Sequence, residues 1–143
     1  MGRTILIILI NACYLVFLQG QIQLPSLISD GMILQRNTTV NVWGWTNPQE
    51  QVRVAIEGEV YEAKSDKNGK FLVKIPAHEA GGPYKMEISS KDNNTVINDI
   101  YFGDLWLCSG QSNMELSMSR VAWKYPEIIE NPDAEFIRQF KVI

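Results

Sequence analysis

The stretch Leu105-Trp106-Leu107-Cys108-Ser109-Gly110-Gln111-Ser112-Asn113-Met114 holds the residues best suited to chemistry. An apolar run gives way to small polar side chains, the pattern by which a chain presents a reactive group at the end of a strand. Ser112 is the candidate nucleophile. A serine at a helix start lies beside unpaired N–H groups and the positive end of the peptide dipoles, which favour developing negative charge. From there its hydroxyl can attack a carbonyl while its own N–H binds the oxyanion, with Gly110 shaping the loop. The same features describe a helix cap, because Ser and Asn are preferred N-cap residues. Residue types alone leave Ser112 and Asn113 open between cap and nucleophile.

The other reactive side chains are few. A serine hydroxyl is a poor nucleophile without a base, and the single histidine, His78, falls between Pro76 and Pro83 in what reads as a surface turn. Cys108 belongs to the apolar run and reads as a small buried hydrophobe. No His, Cys, Asp and Glu set has metal-ligand spacing and no glycine loop is suited to phosphate, so neither a metal nor a cofactor is expected. Trp43 and Trp45 flank Gly44; core packing and sugar stacking are both open to them. Trp106 lies in the apolar run and reads as buried.

The elements that must position Ser112 come from a chain of 143 residues, enough for one ordinary domain or a small domain and part of another. Its 13 basic and 16 acidic residues leave a net charge of -3. That balance argues against nucleic acid as a partner, which needs a basic face. The start, with Arg3, an apolar run from Ile5 to Leu18 broken by Asn11, and Gly20, reads as a signal peptide over residues 1–20. The run falls short of the ~20 residues that span a bilayer, so no stable membrane insertion is expected after cleavage. Secretion or a periplasmic location follows. Cleavage would remove Cys13 and leave Cys108 alone, without a disulfide. Asn37-Thr38-Thr39 and Asn93-Asn94-Thr95 fit the N-glycosylation pattern.

Residues 21–99 follow period two. Val52, Val54 and Ile56, then Phe71, Val73 and Ile75, then Tyr84, Met86 and Ile88 predict strands with one buried face each. Ser65 to Gly69 reads as a hairpin turn, and Ala80 to Pro83 and Lys91 to Asn94 as further turns. This grammar predicts an antiparallel β-sandwich module. After Asp99 it changes. Ile100 to Cys108 reads as a strand covered on both faces, Met114, Met118 and Val121 as a helix that Pro126 and Pro132 either break or follow with a short second helix carrying Ile128 and Ile129, and residues 136–142 as a second strand. Residues 100–143 thus predict the first β-α-β of an α/β domain. Two strands and one crossover cannot cover such a sheet, so the unit reads as truncated.

The string Asp104 to Met114 closely resembles the first motif block of the sialate O-acetylesterase family, a branch of the SGNH hydrolases. The resemblance extends through Leu27-Ile28-Ser29-Asp30-Gly31-Met32-Ile33-Leu34-Gln35-Arg36, Gly81-Gly82-Pro83-Tyr84, Arg120-Val121 and Tyr125-Pro126-Glu127. It implies a flavodoxin-like catalytic domain after the β-module and hydrolysis of O-acetyl esters on sialic acid or a related sugar. It also implies that Ser112 is the nucleophile and first oxyanion donor, with Gly110 in its loop. The family's catalytic histidine, the acid that orients it and two further oxyanion donors have no counterpart here. The 143 residues alone are therefore expected to be nearly inert. Two alternatives remain: an acetylxylan-type esterase with the same mechanism, and a non-catalytic carbohydrate-binding or spacer β-module.

Overall fold

The computed structural model describes residues 21–130 and 136–141. The expected signal peptide at residues 1–20, Pro132, and Val142 of the expected last strand lie outside the described residues. Seven strands form: β1 (Ile33–Gln35), β2 (Val40–Trp45), β3 (Gln51–Ile56), β4 (Glu59–Lys64), β5 (Lys70–Ile75), β6 (Gly81–Ser89) and β7 (Asn94–Gly103). Five make a sheet in the order β1-β7-β6-β3-β4, and β2 pairs with β5 in a second.

Period two in sequence becomes alternation in burial. Val52, Val54 and Ile56 of β3 and Phe71, Val73 and Ile75 of β5 point inward, while the residues between them are more exposed. The two sheets share one core, to which β2 adds Val42, β6 adds Met86 and Ile88, and β7 adds Ile100 and Phe102. Each such side chain contributes roughly 1.5–3 kcal/mol through loss of apolar surface to water. The helix-poor, strand-rich character expected of residues 21–99 is observed.

Three details differ from expectation. The pairing is mixed, because β1 runs parallel to β7, with Gln35 opposite Gly103. The Ser65 to Gly69 turn does not close a hairpin: β4 pairs with β3 and β5 with β2, so the turn carries the chain between sheets. Asp66 Oδ1 accepts the N–H groups of Asn68 and Lys70 at 2.8 and 2.9 Å, and only Gly69 of the Asn-Gly pair has a positive φ. The tight hairpin is instead β3–β4, where Glu57 and Gly58 both take positive φ, as a two-residue turn matched to strand twist requires. The expected turn at Ala80 to Pro83 is mostly the irregular start of β6, where the register with β7 shifts between Gly81 and Tyr84.

β7 carries the chain past the boundary expected between Asp99 and Ile100, ending at Gly103. Beyond it the expected strand, helix and strand are not observed among the described residues. Leu105, Trp106 and Leu107 lie in irregular backbone, with Leu107 97% exposed. A strand covered on both faces needs neighbours, and none of these strands or helices supplies them. The expected helix is two separate 3₁₀ turns, Ser112–Glu115 and Met118–Val121, followed by a short helix α1 (Pro126–Glu130). Leu116 and Ser117 are extended between the turns, and the hydroxyls of Ser117 and Ser119 bond each other at 2.7 Å. A short helix without a packed face has little to hold it, and serine side chains compete for such backbone.

Candidate active site

Ser112 is exposed and is the first residue of its 3₁₀ turn. Gln111, extended at φ -93 and ψ -163, occupies the N-cap position and makes no side-chain capping bond; its carbonyl accepts the Met114 N–H at 2.9 Å. The capping role open to Ser112 and Asn113 is therefore not the one observed. The turn is a single one, so few peptide dipoles add at its start. Gly110 has no positive φ, but a Cβ there would come within 2.8 Å of Met114 Cγ. Its small size makes room for that side chain, which packs back over the loop leading to Ser112.

His78 belongs to the β-module. Its Nδ1 lies 3.1 Å from a Glu57 carboxylate oxygen, and its ring stacks on Phe102 with centroids 4.4 Å apart. It is half-buried, more enclosed than a surface turn residue. Among the described residues no hydrogen bond or ion pair joins it to Ser112. Cys108 is exposed instead of buried. Trp43 packs partly against the core, whereas Trp45, on the same outward face of β2, is 41% exposed; Trp106, expected to be buried, is 86% exposed.

The residues that fix the start of the Ser112 segment come from β1. Because β1 runs parallel to β7, Gln35 and Arg36 lie beside the point where the chain leaves the sheet. The Arg36 guanidinium donates to both oxygens of Asp104, at 2.9 and 3.1 Å, and its backbone N–H donates to the Gly103 carbonyl at 2.9 Å. Gln35 Oε1 accepts the Leu105 N–H at 2.9 Å. The hydrogen bond from Arg36 holds the Asp104 carboxyl below the usual carboxylate range and raises the guanidinium in turn.

A second ion pair ties residues 136–141 to the same sheet. Arg138 donates to Asp99 at 2.7 and 3.3 Å and to the Gly31 carbonyl at 3.1 Å, and it lies 4.8 Å over the Tyr101 ring. Phe136 meets Tyr101 edge-on, with centroids 6.4 Å apart. The Arg138 hydrogen bond holds Asp99 below the usual carboxylate range. Arg36 and Asp104 fall within the stretches that carry the resemblance, but sequence reasoning gave none of these four charged residues a role. One signal was present: buried Ile97 and Ile100 are spaced by three, which breaks period two at Asp99.

No family model matches the chain. Sialate O-acetylesterase of Mus musculus is 28% identical over 129 residues, 82% of this chain, and that of Homo sapiens is 31% identical over 107 residues, 67% of this chain. The crystal structure of a carbohydrate acetylesterase from Xanthomonas citri superposes with a TM-score of 0.72 at 34% identity, covering 79% of this chain. The chain belongs to a sialate O-acetylesterase-like family. It spans about a quarter of the length of these relatives: 24% and 20% of the two curated proteins and 26% of the solved chain. Among the described residues no helix is long and apolar enough to cross a membrane.

Proposed function

We propose that the chain is the amino-terminal part of a secreted serine esterase that removes O-acetyl groups from sialic acid or a related sugar, with Ser112 as nucleophile. The observation that carries this reading is the similarity to esterases across most of the chain; the choice of Ser112 rests on the Gly110-Gln111-Ser112-Asn113-Met114 motif in the sequence. The exposed, uncapped Ser112 is consistent with it. The Ser112 hydroxyl would attack the acetyl carbonyl while a base removes its proton. The tetrahedral oxyanion would be held by the Ser112 N–H and further donors, and collapse would expel the sugar hydroxyl. Water would then hydrolyse the acetyl-serine to acetate. No cofactor enters these steps.

The base, its orienting acid and the remaining oxyanion donors would come from polypeptide beyond these 143 residues, in a catalytic domain begun by residues 100–143. An acetylated plant-wall sugar is the second substrate reading, compatible with the relative from Xanthomonas citri, a carbohydrate acetylesterase. A substrate panel on the extended protein separates the two. A non-catalytic carbohydrate-binding module is supported by the exposure of Trp45 and Trp106. The test of the main reading is acetate release from O-acetylated sialic acid by the extended protein and its Ser112→Ala variant. Loss of release supports Ser112, and full activity in the variant rejects it.

A further inference from the structure

Two ion pairs join the segment carrying Ser112 to the β-module. Asp104 precedes and Arg138 follows its described residues 105–130 and 136–137, and their partners Arg36 and Asp99 belong to the β-module. Asp99 and Asp104 lie on one strand and its exit, five residues apart, so the anchor points are within roughly 17 Å at ~3.3 Å per residue. We propose that Arg36 and Asp99 are positioning residues: the β-module clamps both ends of the segment carrying Ser112 and so sets where the nucleophile stands. The proposal rests on the reading of Ser112 as nucleophile for its catalytic consequence, though not for the clamp itself.

The backbone of β7 supports this independently. Tyr84 and Met86 of β6, two residues apart, face Ile100 and Ile97 of β7, three residues apart. The extra residue in β7 is a bulge, a device that bends a strand and re-aims a side chain. Asp99 sits in it with φ +60, a conformation unfavourable for a residue with a Cβ. The bulge is itself tied down, because the Asn98 N–H donates to Asp30 Oδ1 at 2.7 Å and the Asn98 carbonyl accepts the Gly31 N–H at 3.1 Å. The result points the Asp99 carboxylate away from the core and at Arg138, whose guanidinium also bonds the Gly31 carbonyl on the other side of this bulge. Glycine would fit that backbone without strain, yet only a carboxylate holds the arginine in two bonds. At the other anchor the parallel β1–β7 pairing does the same work, placing Arg36 against Asp104 one residue beyond the strand end.

The test uses the whole 143-residue chain with Cys13→Ser, so that the exposed Cys108 takes one nitroxide, and Glu59→Cys, beside the β3–β4 hairpin, takes the other. Pulsed electron resonance then reads the distance distribution between module and segment. We expect a single narrow distribution that broadens at least about twofold in Arg36→Ala and in Arg138→Ala. Asp99→Asn combined with Arg138→Ala should broaden it no more than Arg138→Ala alone, since both remove one contact. Equal widths in the parent and both single variants, or a parent already as broad as the variants, would overturn the clamp. These side chains lie outside the core, and the thermal midpoint checks that the module stays folded; Asp104→Asn and Asp99→Asn repeat the test without altering side-chain size. Because the readout does not involve Ser112 chemistry, a rigid clamp with an inactive serine and an active serine without a clamp give different results.

Discussion

Residues 21–103 and residues 104–141 contain the same kinds of apolar side chains and use them in opposite ways. In the module Val42, Ile75 and Ile88 are wholly buried, whereas in the segment Trp106, Leu107 and Trp123 are each more than four-fifths exposed. The module satisfies its backbone and apolar faces with its own strands. Among the described residues the segment leaves most of its apolar side chains facing water and is tied to the module mainly by polar contacts near its two ends. Apolar composition therefore reports a need for burial, which only supplied neighbours meet.

The largest effect that would break this contrast is a core truncation. Phe71→Ala is expected to destabilise the module by about 3–5 kcal/mol, while Leu107→Ala should change the stability of this chain by less than about 0.5 kcal/mol. Chemical denaturation of both variants checks it; similar losses would mean that the segment is packed like the module.

Gly44→Ala is the next largest. The added Cβ would meet the Gln23 carbonyl oxygen, which belongs to backbone paired with Trp45, and the Phe71 ring. A cost of about 1–3 kcal/mol is expected, measured as a lowered denaturation midpoint. Gly110→Ala meets only a flexible methionine side chain and should cost less.

A smaller effect separates the clamp from the core. Asp99→Gly relieves an unfavourable φ while removing the partner of Arg138, so the thermal midpoint should move by no more than about 2 °C. The ends of the segment should nonetheless loosen, visible as faster tryptic cleavage at Arg120 and Lys124. The smallest effect is set by pH. Asp99 and Asp104 have lowered folded-state pKa values, each chiefly through the hydrogen bond from its arginine. Their contribution is present above the ordinary carboxylate value of ~3.9 and is lost as pH falls through the lowered folded values. Cleavage by an acid-active protease within residues 105–137 should therefore rise below about pH 4 before the module unfolds.

The module was the legible part of the sequence because each strand states its own burial: Val52-Val54-Ile56 and Phe71-Val73-Ile75 need no distant information to show a buried face. Which strand pairs with which was not legible. The Asn68-Gly69 signal suggested a hairpin that the structure makes at Glu57-Gly58, since Asp66 caps the later turn locally and frees its strands to join different sheets. The parallel β1–β7 pair was hidden because β1 is three residues long. For the site, Ser112 could be singled out by residue type and motif, but its clamp could not. Arg36 and Asp104 are 68 positions apart, and ion pairs leave no periodic trace. Only the three-residue step from Ile97 to Ile100 marked the bulge that aims Asp99.

The most direct measurement is acetate release from an O-acetylated sialic acid by this chain extended to the length of its relatives, compared with the same protein bearing Ser112→Ala. The account predicts loss of at least about 10³-fold in kcat, as removal of a serine nucleophile produces, with the module's thermal midpoint unchanged. Release at the parent rate by the Ser112→Ala protein would contradict it.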